Sequence, residues 1–147
     1  GCEPLKINSS LVSAQSRPRL YWTNIPGVTV PEDKGLTIFD ILEFPAAPVQ
    51  PMVTRARKSY CLTATHGNCL GKDGLPIPSE IIHNTKRHQR TCIIHDDHWR
   101  MLSPVECERL QTVPDGYTSS VTQRQRYRCL GNGWTVDVIA HLLSFKL

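Results

Sequence analysis

Apolar and polar positions alternate loosely through "LKINSSLVSA" near the start of the chain, and "RLYW" follows as an apolar and aromatic run. The pattern predicts two short strands around a loop between Leu5 and Trp22. "NIPG" then breaks it. "GLTIFDILEF" reads as a short helix with Leu36, Phe39 and Leu42 roughly on one face. "PAAPVQP" ends that helix, because three prolines in seven residues forbid both helix and central strand. From Met52 to Trp99 the periodicity weakens: "SYCLTAT" is expected as a strand, "GKDGLP" as a turn and "RTCIIHDD" as a second strand. This polar, basic, His-rich segment reads as loops on a small sheet.

The last third is more regular. Ser103 suits an N-cap, Pro104 the first helical position, and Glu106 completes a capping box. About two turns of helix are expected before the turn Val113-Pro114-Asp115-Gly116. Arg109 is expected to pair with Glu106, three residues back, or with backbone carbonyls. Ser119 or Ser120 is expected to cap another helix containing Gln123, Arg126 and Tyr127, ended by Gly131-Asn132-Gly133. "WTVDVIAHLLSFKL" predicts a last helix with Trp134, Val138 and Leu142 along one stripe and Ile139 and Leu143 beside it.

A length of 147 residues suits one domain with one core, and 39% hydrophobic residues argues against a disordered tail. No apolar run approaches the length that crosses a bilayer. The net charge of +4 is mild, but the cations cluster as Arg55, Arg57 and Lys58, as Lys86, Arg87 and Arg90, and as Arg124, Arg126 and Arg128. Clustering favours a polyanionic partner. Six cysteines, Cys2, Cys61, Cys69, Cys92, Cys107 and Cys129, are widely spaced with no CxxC. With no signal peptide at the start, reduced thiols are expected. A beginning of Gly-Cys rather than Met suggests a removed initiator or a piece of a longer protein. Cys61, His66, Cys69, His83, His88, Cys92, His95 and His98 could offer soft ligands. They lack the paired short spacings of a zinc site, so no metal is expected.

Three separated motifs carry a resemblance. "AQSRPRLYW" resembles the Gln-x-Arg-x-Arg motif of cytosine-C5 DNA methyltransferases. "RMLSPVECERLQTVPDGY" is similar to the block that follows that family's target-recognition region, and "RYRCLGNGWTVDVIAHLL" to its final motif, a Gly-Asn turn leading into a helix. Order and spacing agree across nearly the whole chain. The tryptophan of the last motif and the short middle segment look most like the animal de novo methyltransferases and their bacterial or phage relatives. The sequence departs from the family in its other half: there is no Gly-rich cofactor motif, no Pro-Cys nucleophile pair and no Glu-Asn-Val motif.

The resemblance implies an α+β fold: the C-terminal fragment of a Rossmann-like methyltransferase with a small target-recognition domain. Residues 1–35 would be C-terminal strands of the catalytic domain, 36–98 the recognition region, and 99–147 an organising helix and returning helices. It implies double-stranded DNA as partner and S-adenosylmethionine as cofactor, the latter only with a catalytic half on a second chain or in a missing N-terminal region. The alternative is a non-catalytic DNA-binding or regulatory module on the same scaffold. Location would be cytoplasmic, at the nucleoid, in a bacterium or phage, and nuclear in a eukaryote.

Among site residues the resemblance implies Arg17 and Arg19 beside the reacting cytosine, with Arg19 at its O2 edge. Residues two apart on a strand share a face, so both guanidiniums are expected to reach one pocket. Asn132, Gly133 and Trp134 are expected to close over the methionine end of the cofactor, the glycines letting the backbone approach and the next helix N-terminus favouring a carboxylate. Thr63, Thr65, His66 and Asn68 are suited to phosphates or base edges, and Lys58, Lys86, Arg87 and Arg90 to phosphates. Glu106 is expected to cap its helix and to do no chemistry.

Overall fold

Two antiparallel hairpins and three helices account for the regular structure of the computed structural model, which describes residues 2–43, 57–64, 91–95 and 98–146. Strands β1 (Leu5–Asn8) and β2 (Pro18–Tyr21) pair with Leu5 opposite Tyr21 and Asn8 opposite Pro18. Asn8 shapes the connection: its Oδ1 accepts from the N–H groups of Ser10 (3.1 Å) and Arg17 (2.8 Å), across a 3-10 turn at Ser9–Leu11. Strands β3 (Cys92–His95) and β4 (His98–Met101) form the second hairpin. Helices α1 (Pro104–Leu110), α2 (Gln123–Asn132) and α3 (Val136–Ser144) follow.

A two-stranded hairpin is marginal alone and needs an apolar surface to lie on. The first hairpin lies on α3, where Ile7 and Val12 pack with Val138 and Leu142. A larger core gathers Ile38, Leu62, Ile93, Leu102, Leu110, Tyr127 and Leu130 around α1 and α2. The described residues thus form two apolar cores where one was expected.

The capping box at Ser103 and Glu106 forms as the sequence predicts. Several other expectations are corrected. "GLTIFDILEF" makes a single 3-10 turn, Ile38–Ile41, rather than an α-helix. Three residues per turn put Ile38 and Ile41 on the same side, so they are buried while Phe39 is exposed under the Arg57 guanidinium. Among its described residues, "SYCLTAT" contributes an isolated parallel bridge, Ser59 to Gln15, in place of a strand. Strand β4 was not foreseen. Helix α2 is capped at Thr122, not at Ser119 or Ser120. The turns before it are held by Glu108, whose buried carboxylate accepts from the N–H groups of Gly116 (2.6 Å) and Thr118 (2.8 Å), from the Thr118 hydroxyl and from Arg126 (2.9 Å). Helix α3 begins at Val136, so Trp134 lies outside its buried stripe and is 67% exposed.

Glu106 and Arg109 do not pair. Arg100 holds the Glu106 carboxylate through two bonds of 2.7 Å, while Arg109 binds Asp115 and the Ile41 carbonyl. The Arg109 bond also holds the Asp115 carboxyl below its ordinary range. The cysteines with described side chains, Cys2, Cys61, Cys107 and Cys129, are free.

Candidate functional site

Between the two cores runs a layer of buried polar groups. Gln15 is fully buried: its Nε2 donates to the Leu110 carbonyl (3.2 Å) and to Gln111 Oε1 (3.4 Å), and its Oε1 accepts from the Leu62 N–H (2.8 Å). Gln111 donates to the Leu130 carbonyl (2.5 Å) and accepts from the Thr135 hydroxyl (3.0 Å). Ser13 donates to the Leu110 carbonyl (2.6 Å). The three sequence motifs therefore meet in one seam, where a buried amide is tolerable because its groups are answered.

Arg17 extends the seam. It is only 7% exposed, and its guanidinium donates to the carbonyls of Leu62 (2.8 Å), Gly131 (3.2 Å) and Gly133 (3.0 Å) and to Cys61 Sγ (3.2 Å). A planar fork with several donors suits this bracing of two backbone segments. The segments lie against each other at Gly131: a Cβ there would fall 2.1 Å from the Thr63 carbonyl carbon and 2.3 Å from the Ala64 nitrogen. The close approach at Gly131 is to the protein's own backbone. Gly133, the C-cap of α2, has φ −68° and needs no glycine for its conformation.

Arg19, two residues on, is exposed. It donates to the Pro18 carbonyl (2.8 Å) and lies 3.6 Å from Cys61 Sγ. It opens onto a cleft of about 540 Å³ lined also by Arg17, Trp22, Asn132, Trp134 and Leu143. Trp22 (64% exposed) and Leu143 (54%) make much of its wall apolar. Tyr21 also lines the cleft; burial raises its pKa, against the lowering influence of Arg17 and Arg19.

Arg17, Arg19, Asn132 and Trp134 thus line a common cleft, although the motifs holding them lie far apart in sequence. One expectation for this region is corrected. The N-terminus of α3 does not offer free donors to a carboxylate, because the Val136 N–H donates to the Gln111 carbonyl (3.0 Å) and the Asp137 N–H to the Thr112 hydroxyl (2.8 Å). Lys58 is also corrected. It is 7% exposed and its ammonium donates to the carbonyls of Ser10 (2.7 Å) and Ser13 (3.2 Å), which turns it away from any phosphate. Thr63 lies against α2 at Gly131. Thr65, His66, Asn68, Lys86, Arg87 and Arg90 lie outside the described residues, as do the side chains of the soft-ligand group other than Cys61. Among the described residues there is no cluster of metal-ligating side chains and no helix long and apolar enough to cross a membrane.

The fold has known counterparts. The methyltransferase EhMeth of Entamoeba histolytica superposes with a TM-score of 0.59 at 16% identity, over 97% of this chain and 52% of that one. A DNMT2 variant from Spodoptera frugiperda gives 0.55 at 18% identity, over 97% and 56%. By sequence, the type II methyltransferase M.Sau3AI of Staphylococcus aureus is 38% identical over 47 residues, 32% of this chain and 11% of that protein. The chain spans about half the length of these structural counterparts. From residue 13 to residue 144 it matches the C-5 cytosine-specific DNA methylase family model, and the chain belongs to that family.

Proposed function

We propose that this chain is the DNA-recognition, C-terminal portion of a cytosine-C5 DNA methyltransferase, completed by a catalytic half that supplies the nucleophilic cysteine and the main cofactor motif. In this reading residues 36–98 form the target-recognition region, and residues 1–35 and 99–147 belong to the Rossmann-like catalytic domain. The tryptophan after the Gly-Asn-Gly turn, Trp134, favours kinship with the animal de novo enzymes and their bacterial or phage relatives. The observation that carries the proposal is the convergence of Arg19, Asn132 and Trp134 on one open, largely apolar cleft beside a fully satisfied polar seam.

A cytosine inside a duplex cannot be reached by a side chain, so the base leaves the stack and enters the cleft. Charge builds on the ring as a thiolate adds to C6, and a fixed cation beside the ring lowers that barrier. Arg19 takes this role, since it is exposed at the cleft. Arg17 acts as a positioning residue, its guanidinium being engaged by Cys61 and by the carbonyls of Leu62, Gly131 and Gly133. S-adenosylmethionine, the family's usual cofactor, supplies the methyl group when bound. The exposed indole of Trp134 and the Asn132 amide fit its methionine end, whereas the engaged N-terminus of α3 does not. Lys86, Arg87 and Arg90 anchor phosphates, and Thr63, Thr65, His66 and Asn68 read base edges or phosphates.

The test is incorporation of labelled methyl groups into duplex DNA. The chain alone should transfer none, and adding a catalytic half that carries Pro-Cys and the cofactor motif should restore transfer. Transfer by the purified chain alone would overturn the proposal. DNA binding with no gain from the catalytic half would leave a non-catalytic DNA-binding or regulatory module. In the reconstituted enzyme, Arg19→Ala should lower kcat much more than DNA affinity, because its contact strengthens as charge develops.

A further inference from the structure

The basic cluster Arg124, Arg126 and Arg128 is not one cluster in the fold. Arg126 is consumed by Glu108 and by the Thr118 hydroxyl (3.0 Å). Arg124 and Arg128 are exposed, and neither side chain has a hydrogen bond or ion pair among the described residues. They are four apart on α2, which contains no acidic residue. At 3.6 residues per turn they share a stripe, and the same stripe continues to Gly131 and Asn132. Gly131 is where the Thr63–Ala64 backbone crosses the helix, and Asn132 lines the cleft. Two guanidiniums with no acidic partner among the described residues therefore stand in line with the cleft, on a helix face that buries neither of them.

We propose that Arg124 and Arg128 form a second anchor for the DNA phosphate backbone, outside residues 36–98 in the sequence and leading to the cleft. This rests on the DNA-recognition reading above. The two α-carbons are about 6 Å apart along the helix axis, while each DNA strand carries one phosphate per roughly 3.4 Å of duplex axis. Each arginine can then meet its own phosphate. Such contacts carry no base code, so they hold the duplex in register while other residues read it. An anchor on α2 keeps the backbone beside the cleft while one nucleotide turns out of the stack.

The test uses the full chain and a labelled duplex DNA of mixed sequence, with affinity measured over a salt series. Arg124→Gln/Arg128→Gln should flatten the slope of log affinity against log salt by about two units, and should weaken binding equally on unrelated sequences. Arg124→Lys/Arg128→Lys should keep the slope. Lys6→Gln/Lys146→Gln, which removes two exposed cations elsewhere, should also leave it unchanged. Glutamine is close to arginine in helix propensity, and an unchanged unfolding midpoint confirms that α2 is intact. A slope unaltered by Arg124→Gln/Arg128→Gln, with the wild-type chain binding DNA, would overturn the anchor and leave the DNA-recognition reading standing. A change in sequence preference would also overturn it, as a base contact in place of a phosphate contact. Failure of the wild-type chain to bind duplex DNA at any salt would overturn the underlying reading and the anchor with it.

Discussion

The seam and the cleft are made from the same three stretches of sequence, yet they obey opposite rules. In the seam, Gln15, Gln111, Thr135 and Arg17 are buried and their polar groups are answered by hydrogen bonds. In the cleft, Arg19, Asn132 and Trp134 stand exposed beside Trp22 and Leu143. The boundary runs through the motifs themselves: buried Arg17 and exposed Arg19 are two residues apart, and Gly133, whose carbonyl accepts from Arg17, sits between Asn132 and Trp134 of the cleft. A motif is therefore not a list of site residues. Part of it locks distant segments together so that the other part can be presented at a surface. Buried, satisfied groups fix geometry, and exposed aromatic groups beside a cation are what remains for a base, a cofactor or another protein body to cover.

The largest expected effect is at Gly131. Alanine there drives a Cβ to 2.1–2.3 Å from the backbone of Thr63 and Ala64, which has no side chain to move aside. Gly131→Ala should cost about 3 kcal/mol in chemical denaturation, at the upper end of overpacking. Gly133→Ala brings a Cβ only to 3.2 Å from the Cys129 carbonyl and needs no change of φ, so about 0.5 kcal/mol or less is expected. Equal losses would show that the two segments do not meet as described.

Next comes Glu108. Burial pushes its carboxyl up, but the bonds from the Thr118 side chain and N–H, from Arg126 and from the Gly116 N–H outweigh this and hold it below its ordinary value. A carboxyl depressed in the folded state stabilises fully above its ordinary value of 4.5 and loses that contribution as pH falls through the lower folded value. Denaturation at a series of pH values below 4.5 should show this decline, and Glu108→Gln should remove that share of it. At neutral pH the same variant should cost about 2 kcal/mol, because Arg126 loses its partner; its partial exposure keeps the cost below that of a fully buried break. An unaltered acid profile would place the carboxylate outside this network.

The smallest effect is on the cleft wall. Trp22→Ser and Trp134→Ser should each change stability by less than about 0.5 kcal/mol, since neither side chain is in either core. Each should nevertheless weaken association with a catalytic half by tenfold or more in titration, as exposed tryptophans commonly anchor interfaces. A large loss of stability at either position would mean that the cleft belongs to the core.

Local signals made part of this legible in advance. The Ser103–Glu106 capping box and the apolar stripe of α3 at Val138 and Leu142 depend on residues close in sequence, and local sequence patterns report them; the turn expected at Val113–Gly116 closes one residue later, with the Tyr117 N–H donating to the Pro114 carbonyl (3.1 Å). The bond of Arg109 to a backbone carbonyl, that of Ile41, agrees with the sequence reading, but the ion-pair partners of Arg100 and Arg109 are not legible in the sequence. Glu106 is three residues from Arg109, but the fold brings Arg100 to it and sends Arg109 to Asp115. Lys58 looked like a phosphate ligand because a lysine in a basic run usually is solvated; only the crossing of residues 57–64 over the Ser10–Ser13 carbonyls buries it. The cap of α2 lies at Thr122 because Gln125, three residues on, completes a capping box there, a local signal that outweighs the serines before it. At the site, the resemblance pointed to Arg17, Arg19, Asn132 and Trp134, but not to which would be buried. Gln15 and Gln111 were missed as a pair, since their link spans 96 residues.

The division between seam and cleft is tested most directly by comparing the unfolding free energies of Arg17→Ala and Arg19→Ala in the chain itself. Arg17→Ala strips donors from the carbonyls of Leu62, Gly131 and Gly133, and should cost about 2–3 kcal/mol. Arg17→Lys should recover little of this, because one ammonium cannot replace the fork. Arg19→Ala removes an exposed side chain and should stay within about 0.5 kcal/mol of wild type. A loss for Arg19→Ala equal to or greater than that for Arg17→Ala would contradict the account.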